Sequence, residues 1–186
     1  MIKPQDIVFL LKLVSRNLRR LNASLAFNKP GNPPWDFASL AKELHMSSSE
    51  AHASFKRAVK CSLMNKHTRE PIIRALAEFL EHGLRYTFPA ERGEQTRGIP
   101  TAAASPAMQS LLAASNESPP VWPWPTGETK GFGFSPLYRS VPEASLEDPV
   151  LYDLLALTDS IRGGNARERS VAVNELKRRF EALPNE

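Results

Sequence analysis

The stretch from Asp36 to Met64, DFASLAKELHMSSSEAHASFKRAVKCSLM, constrains this chain most, because its periodicity fits two short helices joined by a tight turn. Phe37, Leu40, Ala41 and Leu44 recur at i, i+3, i+4 and i+7, a single apolar stripe, and Asp36 is placed to cap the helix start. His45-Met46-Ser47 supplies the turn, with Met46 pointing inward. Ser47 and Glu50 then make the S-x-x-E pattern of a capping box that opens the second helix. That helix is expected to bury Ala51, Phe55 and Ala58, leaving Ser48, Ser49, His52, Ala53, Lys56, Arg57 and Lys60 on its other face. Short hydroxyls and an imidazole near a helix start can approach base edges, and Lys and Arg further along reach bases or phosphates. Such a face suits a groove of double-stranded DNA. An ordinary pair of core helices is the competing reading of the same spacing.

From Leu40 to Phe55 the residues L-A-K-E-L-H-M-S-S-S-E-A-H-A-S-F resemble the helix-turn-helix of bacterial winged-helix transcriptional regulators, MarR-like in broad type, whose pattern is L-A-x-x-L-G-h-S-x-x-x-V-x-x-x-L. His45 stands where Gly usually takes the left-handed turn position, and Ala51 replaces a bulkier aliphatic. The resemblance implies a winged helix-turn-helix domain with its second helix in the major groove and a basic hairpin beside it.

The 186 residues suffice for one substantial core or two small domains. No run of 18 uncharged apolar residues occurs, and Met1 to Arg20 reads as an amphipathic helix rather than a signal peptide, so a cytoplasmic protein without a membrane span is expected. Cys61 is the only cysteine, which excludes an internal disulfide and leaves no cysteine pair for a zinc site. Residues 1–98 hold 16 Lys and Arg against 9 Asp and Glu, a net of +7, whereas residues 99–186 hold 8 against 11, a net of −3. Positive charge is therefore concentrated in the half that carries the two-helix motif, as approach to a phosphate backbone requires.

Along the chain, Ile7, Leu10, Leu11, Val14 and Leu18 predict a first helix over residues 4–18, and NKPGNPP closes a loop from Asn22 to Pro34. Trp35 reads as a hydrophobic anchor. Asn65 to Glu70 reads as a polar connector, followed by a helix from Pro71 to His82 that Gly83 ends. Leu84, Tyr86 and Phe88 then alternate as in a strand, with a return strand near Ile99 to Ala103. The hairpin so formed would present Arg92 and Arg97 at its tip. A short helix is expected over Ser105 to Ala114, and an irregular stretch from Ser115 to Pro142. Within it, PPVWPWP is either a strap packing Trp122 and Trp124 onto the chain's own surface or a clamp for a protein partner. GETKGFGF lacks the spacing of a nucleotide loop. Asp148-Pro149 opens a helix that Gly163-Gly164 breaks, Asn165 caps the last one, and Val173, Leu176, Phe180 and Leu183 form a seam suited to an antiparallel helix pair or a second copy.

No nucleophile elbow, phosphate loop or metal-ligand spacing appears among the four His, so no enzyme, cofactor or metal is expected. The expected fold is mainly α: a winged helix-turn-helix domain with a small β-hairpin over 1–104, a proline- and tryptophan-rich strap over 105–147 and a C-terminal helical module over 148–186. The expected function is sequence-specific DNA binding by a homodimeric regulator, acting as a repressor by occupancy through Ser48, Ser49, His52, Lys56, Arg57, Lys60, Arg92 and Arg97. The alternative is a protein-interaction module, such as an antitoxin or adaptor of a neighbouring enzyme.

Overall fold

A computed structural model describes residues 1–22, 35–113 and 117–183; most of the loop expected up to Pro34 lies outside them. In chain order the elements are α1 (Pro4–Asn22), α2 (Phe37–Glu43), α3 (Ser48–Lys60), α4 (Ile73–Glu78), α5 (Leu84–Thr87), β1 (Arg92–Pro100), α6 (Pro106–Gln109), β2 (Pro120–Pro123), β3 (Thr129–Phe134), α7 (Val141–Glu147), α8 (Pro149–Gly163) and α9 (Ala166–Glu181). The fold is mainly helical with one small sheet. No helix among the described residues is long and apolar enough to cross a membrane.

Two helices make the centre. α1 is buried on almost every side from Asp6 to Ser15, and α8 from Leu154 to Arg162. They pack against each other, with α3 on another side of α1 and α9 along α8. Leu176 and Phe180 of α9 and Leu183 just after it are at most 4% exposed within the single chain, with Val173 at the margin, so the expected seam is filled by the protein's own core rather than offered to a second copy. One continuous core draws side chains from all three sequence segments.

The local signals at helix ends behave as their chemistry demands. Asp36 accepts from the Ser39 amide at 2.8 Å, Asp148 from the Leu151 amide at 3.1 Å, and Asn165 with Glu168 makes a full reciprocal capping box. The expected strand over Leu84 to Phe88 is helical instead. α4 runs through a π-helical turn, Phe79–Gly83, directly into α5. Gly83 does not end the helix, because its φ of −104° and ψ of −36° remain right-handed; its missing side chain lets the Phe79 ring close onto the turn, where a Cβ would lie 3.0 Å from the ring. Leu84 is then buried, Phe88 half-buried one turn later, and Tyr86 points out at 75% exposure.

The expected local hairpin is absent for the same reason, and β1 finds its partners in the proline-rich strap. β1 pairs antiparallel with both β2 and β3, and β2 pairs parallel with β3, so each strand bonds both others in a small closed ring. Prolines suit this arrangement because they serve only as acceptors: Pro120 O receives the Thr101 amide at 2.9 Å and Pro119 O the Phe132 amide at 3.0 Å. Two glycines permit the closure. A Cβ on Gly98 would sit 1.9 Å from Trp122 O, and one on Gly131 2.0 Å from Pro119 O. Of the two readings of PPVWPWP, strap or clamp for a protein partner, the strap fits: Trp122 is fully buried, its indole donating to Asp159 at 2.6 Å, and Trp124 is half-buried.

Buried charge holds the ring and the helices in register. Asp159 on α8 accepts from Thr101, Trp122 and Arg162, and Arg162 donates onward to Phe88 O and Ser135 O. Asp159→Ala would strand the Arg162 guanidinium, so a loss of about 3 kcal/mol in urea unfolding is expected. A chain ending at Pro142 would remove α8 from the face of α1, and circular dichroism should show loss of cooperative melting rather than a folded monomer. Acid should act through three carboxylates. Burial opposes ionisation of Asp148 and Glu43, yet Lys12, together with Leu151 and Ser15 at Asp148 and with Arg16 and Arg19 at Glu43, outweighs it and holds both pKa values below the ordinary range. The Arg178 hydrogen bond, followed by that from Arg179, pulls Glu175 from 4.5 to about 2 against the opposing effect of burial. Groups whose folded pKa is depressed stabilise above their unfolded pKa and lose that contribution as pH falls. Through these three groups melting temperature should fall steadily from about pH 5 towards about pH 2, while Asp159, whose pKa burial raises, contributes in the opposite sense above the ordinary carboxylate range.

Candidate nucleic-acid interface

The α2–turn–α3 pair is built as its residues require. After α2, His45 takes a φ of +49°, the left-handed position, and the Met46 amide returns to Ala41 O at 3.0 Å. Ser47 accepts from the Glu50 amide at 3.1 Å. The other half of the expected capping box is not made, because the Glu50 carboxylate turns to Gln5 of α1 at 2.6 Å. The turn is also held from the C-terminal half: Ser140 donates to Leu44 O at 2.6 Å, and the His45 ring lies 3.1 Å from Glu147 and 3.4 Å from Glu143 of α7.

α3 buries Ala51, Ser54 and Ala58. Phe55 is half-buried at the edge of this face, not in it as expected, and packs edge-on against Trp35 and Phe37. Ser48, Ser49, His52, Lys56 and Lys60 are exposed together on the outer face, with the His52 ring steadied against Phe37 at 5.0 Å. Arg57 faces the other way. Its guanidinium bonds the fully buried Asp6 of α1 at 2.6 to 3.0 Å, and that hydrogen bond is the main cause of its raised pKa. Arg57 therefore ties α3 to α1, and base reading would require breaking that pair.

Sequence reading missed the element that follows. Residues 63–72 form a tight hairpin: Met64 bridges Pro71, Asn65 N–H donates to Glu70 O at 2.9 Å and Ile72 N–H to Leu63 O at 3.0 Å. The Asn65 side chain accepts from the His67 and Thr68 amides, an Asx turn that shapes the tip, where Lys66, His67 and Thr68 are exposed. Asn65 itself, a residue whose side chain favours Asx turns, was the available signal. The stem is anchored by Trp35, whose indole donates to Arg69 O at 3.1 Å while the Arg69 guanidinium lies 4.0 Å over its ring. Trp35 thus serves as the internal anchor its position suggests.

Arg92 and Arg97 do not join this group through any described contact. Both are exposed on β1; Arg92 lies 4.7 Å over Phe132 and Arg97 donates to Glu128 O at 3.3 Å. The hairpin they were expected to tip is replaced by residues 63–72, directly after α3. No group of three or more His, Cys, Asp or Glu able to hold a metal occurs among the described residues.

The arrangement can present hydroxyls, an imidazole and two lysines without an ion pair among the described residues from one helix face, with a further lysine from the hairpin. Arg57→Ala should lower stability by about 3 kcal/mol by leaving the buried Asp6 carboxylate without its guanidinium, with the Lys3 amide still donating to it, whereas Lys56→Ala and Lys60→Ala should each stay within about 0.5 kcal/mol in thermal melts. No protein-family model, curated protein or solved structure matches this chain, so the residues themselves carry the functional argument.

Proposed function

We propose that the protein is a sequence-specific binder of double-stranded DNA, a transcriptional regulator acting by occupancy, with α3 as recognition helix and residues 63–72 as its wing. The observation that carries this reading is the exposed face of Ser48, Ser49, His52, Lys56 and Lys60. Its cations have no carboxylate partner among the described ion pairs, in a chain where most other helix cations are paired. Small polar groups near the helix start suit base edges; Lys56 and Lys60 suit phosphates. Lys66 at the hairpin tip extends the positive surface, while the Trp35–Arg69 stack fixes the hairpin beside α2 and α3. Two-fold operators ask for a second copy. With the α9 seam filled internally, that copy would have to meet the chain elsewhere.

Protected fragments recovered from genomic DNA incubated with the purified chain would identify a site, after which titration on that duplex tests each role. Lys56→Ala, Lys60→Ala and Lys66→Ala should each weaken all sequences alike and reduce the salt slope by about 1. His52→Ala should change base preference instead. Arg92→Ala and Arg97→Ala should leave affinity unchanged. No protected fragment, or equal loss from the β1 arginines, would overturn this assignment of the surface.

A further inference from the structure

A second concave site lies away from the α3 face, between the strand ring, the short turn Ala102–Ala104 with α6, and the junction of α8 with α9. It has a volume of about 530 Å³, within the range of small-molecule sites. Phe132, Phe134, Leu112, Ala103 and Pro120 give it apolar walls. Two arginines stand at it. Arg92 is exposed with its guanidinium 4.7 Å over the Phe132 ring, and Arg167 is exposed in the first turn of α9, where the helix dipole disfavours a cation. Neither has an ion pair among the described residues. The acids nearby are already engaged: the Glu168 carboxylate accepts from the Asn165 amide at 2.9 Å, and Glu117 has an interaction of its own. Glu117 and Glu168 keep their charges, so the lining is formally balanced, and what it offers beside the apolar walls is two guanidinium N–H edges with no ion pair among the described residues.

We propose that this cavity binds a small organic carboxylate with an apolar body, its acid group held by Arg167 and Arg92 and its body lying against Phe132 and Phe134. A planar guanidinium already stacked on a ring presents its N–H edge with little loss of side-chain freedom, which favours a carboxylate over a neutral group. Arg92, expected at a DNA-binding tip, thereby acquires a different role. This inference does not rest on DNA binding.

The test uses the full chain, with octanoate and 4-phenylbutyrate as probes and their primary amides as neutral controls, followed by calorimetry and saturation-transfer NMR. At least one carboxylate should bind saturably with a dissociation constant of about 1 mM or tighter, and its amide at least about tenfold more weakly. Arg92→Ala/Arg167→Ala, both at exposed positions, should melt like the parent and lose the carboxylate preference. Ala103→Trp should block both forms by filling the cavity. Absence of saturable binding by either carboxylate would overturn the proposal, as would equal binding of acid and amide, or a double variant that binds like the parent.

Discussion

Lys12 is 2% exposed in the middle of α1, and its ammonium is placed 2.8 Å from Asp148 and 2.9 Å from Glu43. A lone buried ammonium would be prohibitively costly, so these carboxylates must be where they are for α1 to occupy its site. Asp148 caps α8 and accepts from Ser15, while Glu43 ends α2, so one cation joins the first helix, the two-helix motif and the C-terminal helices. Replacing such a cluster by apolar groups could well match its stability; what it supplies is a single allowed arrangement, since sliding α8 by a turn would leave a charge unpaired.

The same logic recurs around Asp159 and Arg162, which fasten the strand ring to α8, and between Asp6 and Arg57, which fasten α3 to α1. The first pair lies within α8 and reaches the ring through Thr101, Trp122 and Ser135, the second joins α1 to α3 directly, and each turns inward a charge that surface reasoning would have placed outside. Helix phase turns Lys56 and Lys60 outward and turns Arg57 towards α1, where it takes the Asp6 carboxylate with two hydrogen-bonding nitrogens. The division of labour on α3 is therefore set by which cation lies on the face that meets a buried partner.

Features encoded within a few residues were legible from the sequence. The apolar stripes of α1 and α2, the caps at Asp36, Ser47, Asp148 and Asn165, the left-handed His45 and the stop at Gly163–Gly164 all follow from spacing and side-chain chemistry. Pairings over long sequence distance were not. Alternation from Leu84 to Phe88 fits a strand and also the i, i+4 spacing of a helix, and the tertiary core decided between them. The strap became β2 and β3 because β1 offered a partner about thirty residues away, which local composition does not encode. At the candidate site, the exposed face of α3 was legible, whereas Arg57's attachment and the hairpin after Met64 depended on Asp6 and Trp35.

The central claim is that α3 and the hairpin after it form one DNA-facing surface. Backbone-amide NMR during titration with a duplex containing a protected genomic fragment tests it most directly, since it reports every described segment at once. The account predicts shifts concentrated at Ser48 to Lys60 and at Lys66 to Thr68, reversed by added salt, with β1 and the strand ring unmoved. Shifts confined to β1 and its neighbours, or none at concentrations where the duplex is bound, would contradict it.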